Sequence, residues 1–598
     1  LLPSGGTEFR VWAPQAQQVD LEILAPRSEV LRMTREPRGL WVCQHPEAHT
    51  GWRYRYRLNG ERSFPDPASR SQPEGVHAAS EVFNSQFEWR DANWSGKSLN
   101  DLVIYELHVG TFSPAGTFDG VIAQLDRLGD LGINAIELMP LAQFPGTRNW
   151  GYDGVYPFAV QHSYGGADGL RRLVDECHHR GIAVLLDVVF NHLGPEGNYL
   201  AQFGHYFSNR YRTPWGDALN FDGRHADEVR RYFIENALMW FGDFHIDGLR
   251  LDAVHAIFDQ SARPFLRQLA DVTREFGELL NRRLLLIAES NLNDSKLVTT
   301  ADCGGYGLDA QWVDDFHHAL HVTLTGEQRG YYADYRGLPD LITSLRQGYV
   351  FTGQESEYRG RRHGTASPRL EARQVVVSIQ NHDQIGNRAR GDRLTTTLGF
   401  EQLKLAAGCV LLAPFVPLLF MGEEYGETAP FAYFVSHSDE RLIQTVREGR
   451  RRDFAHFQWD IEPLDAQCTD TFRRCVLNHE HASHGQHELL WNLYRDLIRL
   501  RHEHPALSLR STELYDVCDW SDRGCYGLHY RCTAGQLVAA FNPSATAAEI
   551  TLPASDATWC LQLDSASQEW GGPRETSSAL SSSHTLMLLP HSFVALSS

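Results

Sequence analysis

Over roughly the first hundred residues, apolar and polar positions alternate in short runs. EFRVWAP, QVDLEIL and WRYRYRL change face at every residue and are parted by Pro and Gly, as antiparallel strands with one buried face require. They predict a small N-terminal β-sandwich over residues 1–97. From Asp101 the period changes. LVIYELHV is followed by a helix starting at Phe118 to Asp119, with Val121, Ile122, Leu125 and Leu128 on one face, and then by Gly132 and the strand NAIELMP. The cadence repeats: Asp168 caps a helix carrying Leu170, Leu173, Val174 and Cys177, Gly181 ends it, and AVLLDVVF follows. A helix from Asp227 to Phe241 then feeds HIDGLRLD, and LLLIAES, LDAQWV, VVVSIQ and VPLLFMG complete a set of eight apolar strands. Eight strands with helices between them predict an α/β fold, a (β/α)8 TIM barrel over 98–509, closed by the helical LLWNLYRDLIRLR. Past 510, LVAAFNPS, AEITLP and LMLLP alternate again and predict a C-terminal β-sandwich over 510–598.

Charge and cysteine usage narrow the class. A net charge of -20 argues against a nucleic-acid partner. The two basic runs, REGRRRDF at 447–454 and YRGRRHG at 358–364, are short enough to be solvated faces. No apolar run is long enough for a membrane helix. The ten cysteines are scattered without a CxxC pair, and the chain shows no charged segment followed by an apolar one of the kind a secretory signal has, so a reducing, cytoplasmic setting is expected. Cys475 with His479, His481, His484 and His487 matches no zinc spacing, so neither metal nor cofactor is expected. A monomer or weak homo-oligomer is the expected state.

Chemistry gathers where the barrel strands stop. Asp187 with Asn191 and His192, Arg250 with Asp252, Glu289, and His382 with Asp383 each follow an apolar strand, and a barrel turns all such ends toward one mouth. In FHIDGLRLDAVH, Arg250 and Asp252 share a face, with Gly248 beneath them and Asp247 opposite. Asp252 and Glu289 lie one strand-helix-strand step apart. Three acids around one cleft repel, so at least one must have a raised pKa. One ionised and one protonated carboxyl is what glycoside cleavage needs. The Gly-rich loop FPGTRNWGYDGVYPF adds Trp150, Tyr152 and Tyr156, rings on which the C–H faces of a sugar can stack.

DVVFNH, GLRLDAVH, AES and QNHD resemble, in order, the four signature segments of the α-amylase superfamily of glycoside hydrolases. The resemblance implies Asp252 as nucleophile, Glu289 as general acid/base and Asp383 as the acid that stabilises the oxocarbenium-like transition state. It also implies that Arg250 keeps Asp252 ionised, that His192 and His382 hydrogen-bond the sugar, and that Tyr152 stacks on it. FPGTRNWGYDGV, TPWGDALNFDG, YGLDAQWVDDFHHALH, YRGRRHG, QNHDQIGNR and MGEEYGETAPF are similar to the members that cut the α-1,4 bond beside a terminal trehalose. Maltooligosyl trehalose and malto-oligosaccharides are then the expected partners.

Glycogen-branching enzymes are the alternative, but they usually carry an acid after the third catalytic acid, where this chain has Gln384. A catalytically inactive glycan binder is a second alternative, against which the intact acids argue. Many amylases place Lys then His three and four positions after the nucleophile. Here His255 and Ala256 stand there, so His255 is a binding candidate whose family contacts do not carry over. Asn191 matches a calcium ligand of some amylases, yet no acidic loop accompanies it. The α,α-1,1 link of trehalose folds its outer glucose away from the path of a maltosyl chain, which asks for a closed, polar pocket. Trp215, Asp314, Asp315, Tyr349, Phe351 and Gln384 are its candidate walls.

Overall fold

The computed structural model of the chain describes all residues except 367–369, 457–461, 509–513, 556–557 and 576–584. All eight expected strands form one closed parallel barrel: β1 (Ile104–Leu107), β2 (Ala135–Leu138), β3 (Ala183–Val188), β4 (Gly248–Leu251), β5 (Leu285–Glu289), β6 (Ala310–Trp312), β7 (Val375–Val377) and β8 (Val416–Phe420). β8 pairs back onto β1 and closes the ring. The strands are buried almost throughout, as covering by helices on the outside and filling on the inside demand. Gly248 is needed at the start of β4, because a Cβ there would lie 2.7 Å from the Leu185 side chain and 2.9 Å from that of Leu285.

The helices shift slightly from their expected starts. The helix expected to be capped by Asp168 runs Gly166–His179, because Gly165, at φ 114°, turns the chain three residues earlier. Asp168 instead lies in the first turn and pairs with Arg171 at 3.2 Å. The helix before β4 spans Ala226–Asp243, and the one after β1 is broken into Phe118–Ile122 and Leu125–Leu131.

Two sheets precede the barrel, one built on Thr7–Trp12 and Leu40–His45, the other on Val19–Ala25 and Arg53–Leu58. Phe9, Val11, Leu21, Ile23, Tyr54 and Tyr56 fill the space between them. Behind the barrel, a five-stranded sheet faces the pair Ala548–Thr551 and Thr585–Leu588. It packs on the helix Phe400–Leu411, where a Cβ on Gly408 would stand 2.6 Å from the Phe593 ring. Lys404 on that helix donates to the carbonyls of Ser565 (2.7 Å) and Trp570 (3.0 Å), a buried cation spent on docking. The boundary expected at 97 falls in the coil that follows Ser80–Glu81; the one expected between 509 and 510 lies outside the described residues.

That coil is fastened to the barrel by Asp247. Rather than lying within β4 opposite Arg250, Asp247 precedes the strand, at the end of the barrel away from the mouth. It accepts from the Val184 N–H (2.8 Å), Trp94 Nε1 (2.7 Å), His178 Nε2 (2.9 Å) and Arg282 Nη2 (3.1 Å). His178 Nδ1 lies 2.7 Å from Asp91, and the Trp94 ring stacks on His178 with centroids 4.5 Å apart. Burial opposes every charge in this clasp, yet the ion pairs prevail: His178 is raised, while Asp247 and Asp91 are lowered. The carboxylates therefore contribute stability that is present above their unfolded value of 3.8 and is lost on acidification. His178 contributes below its unfolded value of 6.5, a contribution lost as pH rises through its raised folded value. Asp247→Asn should cost about 3–5 kcal/mol by removing the buried charge that His178 and Arg282 share, and should speed amide hydrogen exchange across residues 89–96. Unchanged exchange there would mean that the coil is held by other contacts.

Candidate active site

At the opposite end, β4 delivers Arg250 and Asp252 on one face, as alternation requires. The Arg250 side chain is fully buried and its Nη1 donates to Asp187 Oδ2 and to Asp252 Oδ1, each at 2.8 Å. The guanidinium carbon lies 4.4 Å from the centre of the Trp312 ring at the end of β6. The second oxygen of Asp252 accepts from Asn191 Nδ2 at 2.7 Å, and the same amide reaches the Asp252 carbonyl. Both oxygens are therefore aimed, and only 12% of the side chain meets solvent. Asn191, matched in sequence to a calcium ligand, has its amide committed to the expected nucleophile and to His192.

The next residue carries local strain. Ala253 adopts φ 39°, ψ 52°, a left-handed conformation that costs a non-glycine residue about 1–2 kcal/mol. The turn points its N–H at Glu289 Oε2, 2.6 Å away, so strain after one acid holds the next. Glu289 ends β5 with its Oε2 3.9 Å from Arg250 Nη2. Burial raises the Glu289 carboxyl; Arg250 pulls it down, but Asp252, Asp383 and Asp314 push it up, to about 8. Asp383 is the most open of the three acids, with 43% of its side chain exposed. It follows β7 at the head of the short helix His382–Gly386, held by Asn387 Nδ2 at 3.3 Å.

Around the acids lies a ring of hydrogen bonds. The Tyr152 hydroxyl donates to Asp187 Oδ2 at 2.6 Å and lies 2.7 Å from His382 Nε2, and the two rings are nearly parallel. His192 bonds Asn191 and the Tyr152 carbonyl, and Trp215 lies flat over it, centroids 4.1 Å apart and 3° from parallel. Trp215 sits at a hairpin tip with 51% exposure, placing an aromatic face at the rim. His255 is exposed in the turn Val254–Ala256 directly after the strained residue.

The candidate walls divide. Asp315 is 2% exposed and accepts from Asn293 Nδ2, the Tyr335 hydroxyl and the N–H groups of Val350 and Phe351. Three of these donors meet Oδ2 and one meets Oδ1 in a carboxylate sealed from solvent, so Asp315 fastens a loop and lies away from the surface a sugar would meet. Tyr349 is fully buried and bonded by Gln311, again a packing residue. Phe351 is buried between the rings of Tyr335 and His363. Asp314 is the one that faces the acids. Gln384 Nε2 donates to it at 3.3 Å while Gln384 Oε1 accepts from Tyr331. Burial first, and then Asp383, raise the Asp314 carboxyl to about 7. Sequence reasoning missed Glu106, the lone acid in LVIYELHV, which grips His382 from β1. An acid inside an apolar barrel strand was the available signal.

A (β/α)8 barrel with these carboxyls at the ends of β4 and β5 and just past β7 defines a glycoside hydrolase of the alpha-amylase class. The alpha amylase catalytic domain matches residues 64–215, and carbohydrate-binding module 48, the isoamylase N-terminal domain, matches residues 2–72. The chain is 46% identical to a malto-oligosyltrehalose trehalohydrolase of Saccharolobus solfataricus over 88% of its own length and 91% of the relative's. It is 47% identical to one from Mycobacterium tuberculosis, over 84% and 87%. The chain belongs to the malto-oligosyltrehalose trehalohydrolase family. A glucan branching enzyme of Pseudoalteromonas atlantica is 25% identical over 71% of the chain and 62% of that enzyme. Among solved structures, one from Salmonella typhimurium described as an alpha amylase superposes with a TM-score of 0.88 at 35% identity, each chain wholly covered. A pullulanase of Anoxybacillus shares the fold at a TM-score of 0.74 and 18% identity, over 100% of this chain and 86% of its own.

The expected acid role of Glu289 requires a proton, and with its carboxyl near 8 that proton is lost as pH rises. The profile of kcat/KM should therefore fall on its alkaline side near pH 8, a limb belonging to the coupled acids as a set. Asp314→Asn removes one of the charges that raise Glu289, so the limb should move to lower pH. A limb that stays in place would mean that the Asp314 charge is not felt at Glu289.

Proposed function

We propose that this chain hydrolyses the α-1,4-glucosidic bond next to the terminal trehalose of maltooligosyl trehalose, with retention of configuration, and releases trehalose. Asp252 attacks the anomeric carbon while Glu289 gives its proton to the bridging oxygen, so that trehalose leaves and a glucosyl ester forms on Asp252. Glu289, now a carboxylate, takes a proton from water, which opens the ester and restores both acids. Asp383 meets the charge developing on the ring, where a bond counts more than in the ground state. Tyr152, His192 and His382 line the sugar that carries the reacting carbon, with Trp215 and His255 at the rim. Gln384 and Asp314 lie on the leaving-group side.

The observation that carries this reading is the unequal treatment of neighbouring carboxyls. Asp252 is met by a buried guanidinium and an amide, whereas Glu289 is buried among other acids and held up near 8. One is arranged to attack and the other to donate. The family relationship supplies the trehalose end of the substrate, and the buried free thiols of Cys177, Cys409, Cys475 and Cys525 fit a reducing cytoplasm. No helix among the described residues is long and apolar enough to cross a membrane.

Incubation with maltotetraosyl trehalose beside maltohexaose tests the substrate: trehalose should appear from the first far faster than any fragment from the second. The first-formed maltotetraose should be the α anomer by NMR, and a β anomer would overturn retention. Asp252→Asn should lower kcat by about four orders of magnitude or more while leaving the fold intact. Near-normal turnover in that variant would remove Asp252 from its role.

A further inference from the structure

We propose that Glu106, on β1, is a positioning residue for catalysis: it grips His382 by both ring and backbone and so fixes the direction of Asp383. The proposal rests on the amylase-type reading of the acids given above. Glu106 is 1% exposed and occupies the centre of the barrel wall, level with Glu137 on β2 and Phe420 on β8. One oxygen lies 2.5 Å from His382 Nδ1; the other accepts the backbone N–H of His382 at 3.0 Å. The second bond satisfies the first N–H of the helix His382–Gly386, the element on which Asp383 stands. With Nδ1 engaged below, Nε2 is turned toward the mouth, 2.7 Å from the Tyr152 hydroxyl and 3.5 Å from Asp383 Oδ2.

A single carboxylate thus holds three things in register. It fixes the orientation of the imidazole, the entry of the helix and the direction in which Asp383 points. The contacts continue from Tyr152 to Asp187, Arg250 and Asp252, so β1 is tied to the expected nucleophile through hydrogen bonds alone. Aspartate cannot replace it without loss, because the shorter side chain cannot span from the β1 wall to both the ring and the backbone of β7's loop.

The charges around the ring favour imidazolium. Glu106 below and Asp383 beside it are anionic partners, and Arg250 opposes them. Glu137 on β2, whose carboxyl burial pushes well up, Asp187 on β3 and the buried His108 are the other titratable groups near the ring. Burial works against the charge, but the two carboxylates outweigh it and hold His382 up to about 9. Nε2 then carries a proton at neutral pH and donates to Tyr152, whose own proton goes to Asp187. Removing the Glu106 charge takes away one of the two carboxylates that keep His382 protonated.

The test uses the full chain with Glu106→Gln and Glu106→Asp, and reads the His382 ring by NMR of nitrogen-15 histidine, assigned by its loss in His382→Gln. In the parent protein the ring should stay charged well past neutral pH. In Glu106→Gln it should titrate at clearly lower pH, with kcat lowered about 10–100-fold, the range found when metal-binding histidines lose their outer partner, and KM changed less. Glu106→Asp should keep the high titration of the ring and recover part of kcat. An unmoved ring titration in Glu106→Gln, or equal losses in both variants with matching melting temperatures, would reduce Glu106 to a packing residue and overturn the proposal. Rates on maltohexaose and maltotetraosyl trehalose are read separately. A parent protein that frees no trehalose would overturn the substrate reading alone, because the ring titration requires no substrate.

Discussion

A buried guanidinium governs the mouth of this barrel. Arg250 has no solvent to shield it, and taking such a charge out of water is costly unless close partners replace the lost hydration. Asp187 and Asp252, both at Nη1, and the face of Trp312 supply part of that replacement. The price of burial thus becomes a demand for geometry. Asp252 cannot swing away without leaving the cation one carboxylate short, and Asn191 removes its remaining freedom. Glu289 is near enough to feel Arg250 but too far to bond it, and takes its hydrogen bond from the strained turn at Ala253 instead. Two acids on adjacent strands consequently meet one cation at different distances, and the proposed division of labour between them rests on that difference.

The polar chemistry of the barrel is divided between its ends. At the mouth it is partly open and poised for a substrate. At the far end, Asp247, His178, Asp91 and Arg282 form a closed set that binds the incoming coil and satisfies the Val184 N–H. Both sets draw on the same short segment of chain, FHIDGLRLDAVH. Four strand residues separate Asp247 from Asp252, enough to carry the chain from one end of the barrel wall to the other. An acid at the start of that strand ties down the incoming coil, and an acid just beyond its end joins the cluster at the mouth, although the two look alike in sequence.

That distinction marks what could be read from the sequence and what could not. Eight strands, their order and the acids at their ends were legible because period and punctuation are local properties of the chain. The side of β4 on which Asp247 would act was not, since it depends on Trp94 and His178 arriving from distant segments. Asp314 and Asp315 show the same limit. As neighbours in WVDDFHH they are equivalent to any pattern rule, yet the start of a helix at Asp314 turns them in different directions. One faces Gln384 and the acids, and the other disappears beneath a loop. Glu106 went unread for a related reason: its partner lies on the strand-end of β7, and no spacing connects them.

The placement of Asp315 also bears on how a pocket can select a folded disaccharide end. Its four donors tie Asn293, which follows β5, to Tyr335 and to the loop at Val350 and Phe351. A buried carboxylate bonded by four donors, three at Oδ2 and one at Oδ1, makes such a junction stiff, because any displacement leaves a polar group unpaired in a dry interior. Selectivity by shape requires that stiffness, since a wall that yields would admit a straight maltosyl unit as readily as a bent trehalose. The groups that can bond hydroxyls, Gln384 and Asp314, stand in front of this junction, and their own positions are set by Tyr331 and by each other. Under the proposed function, recognition is layered: the buried Asp315 carboxylate stiffens the wall, and the Asp314–Gln384 pair is the polar surface offered to the leaving group.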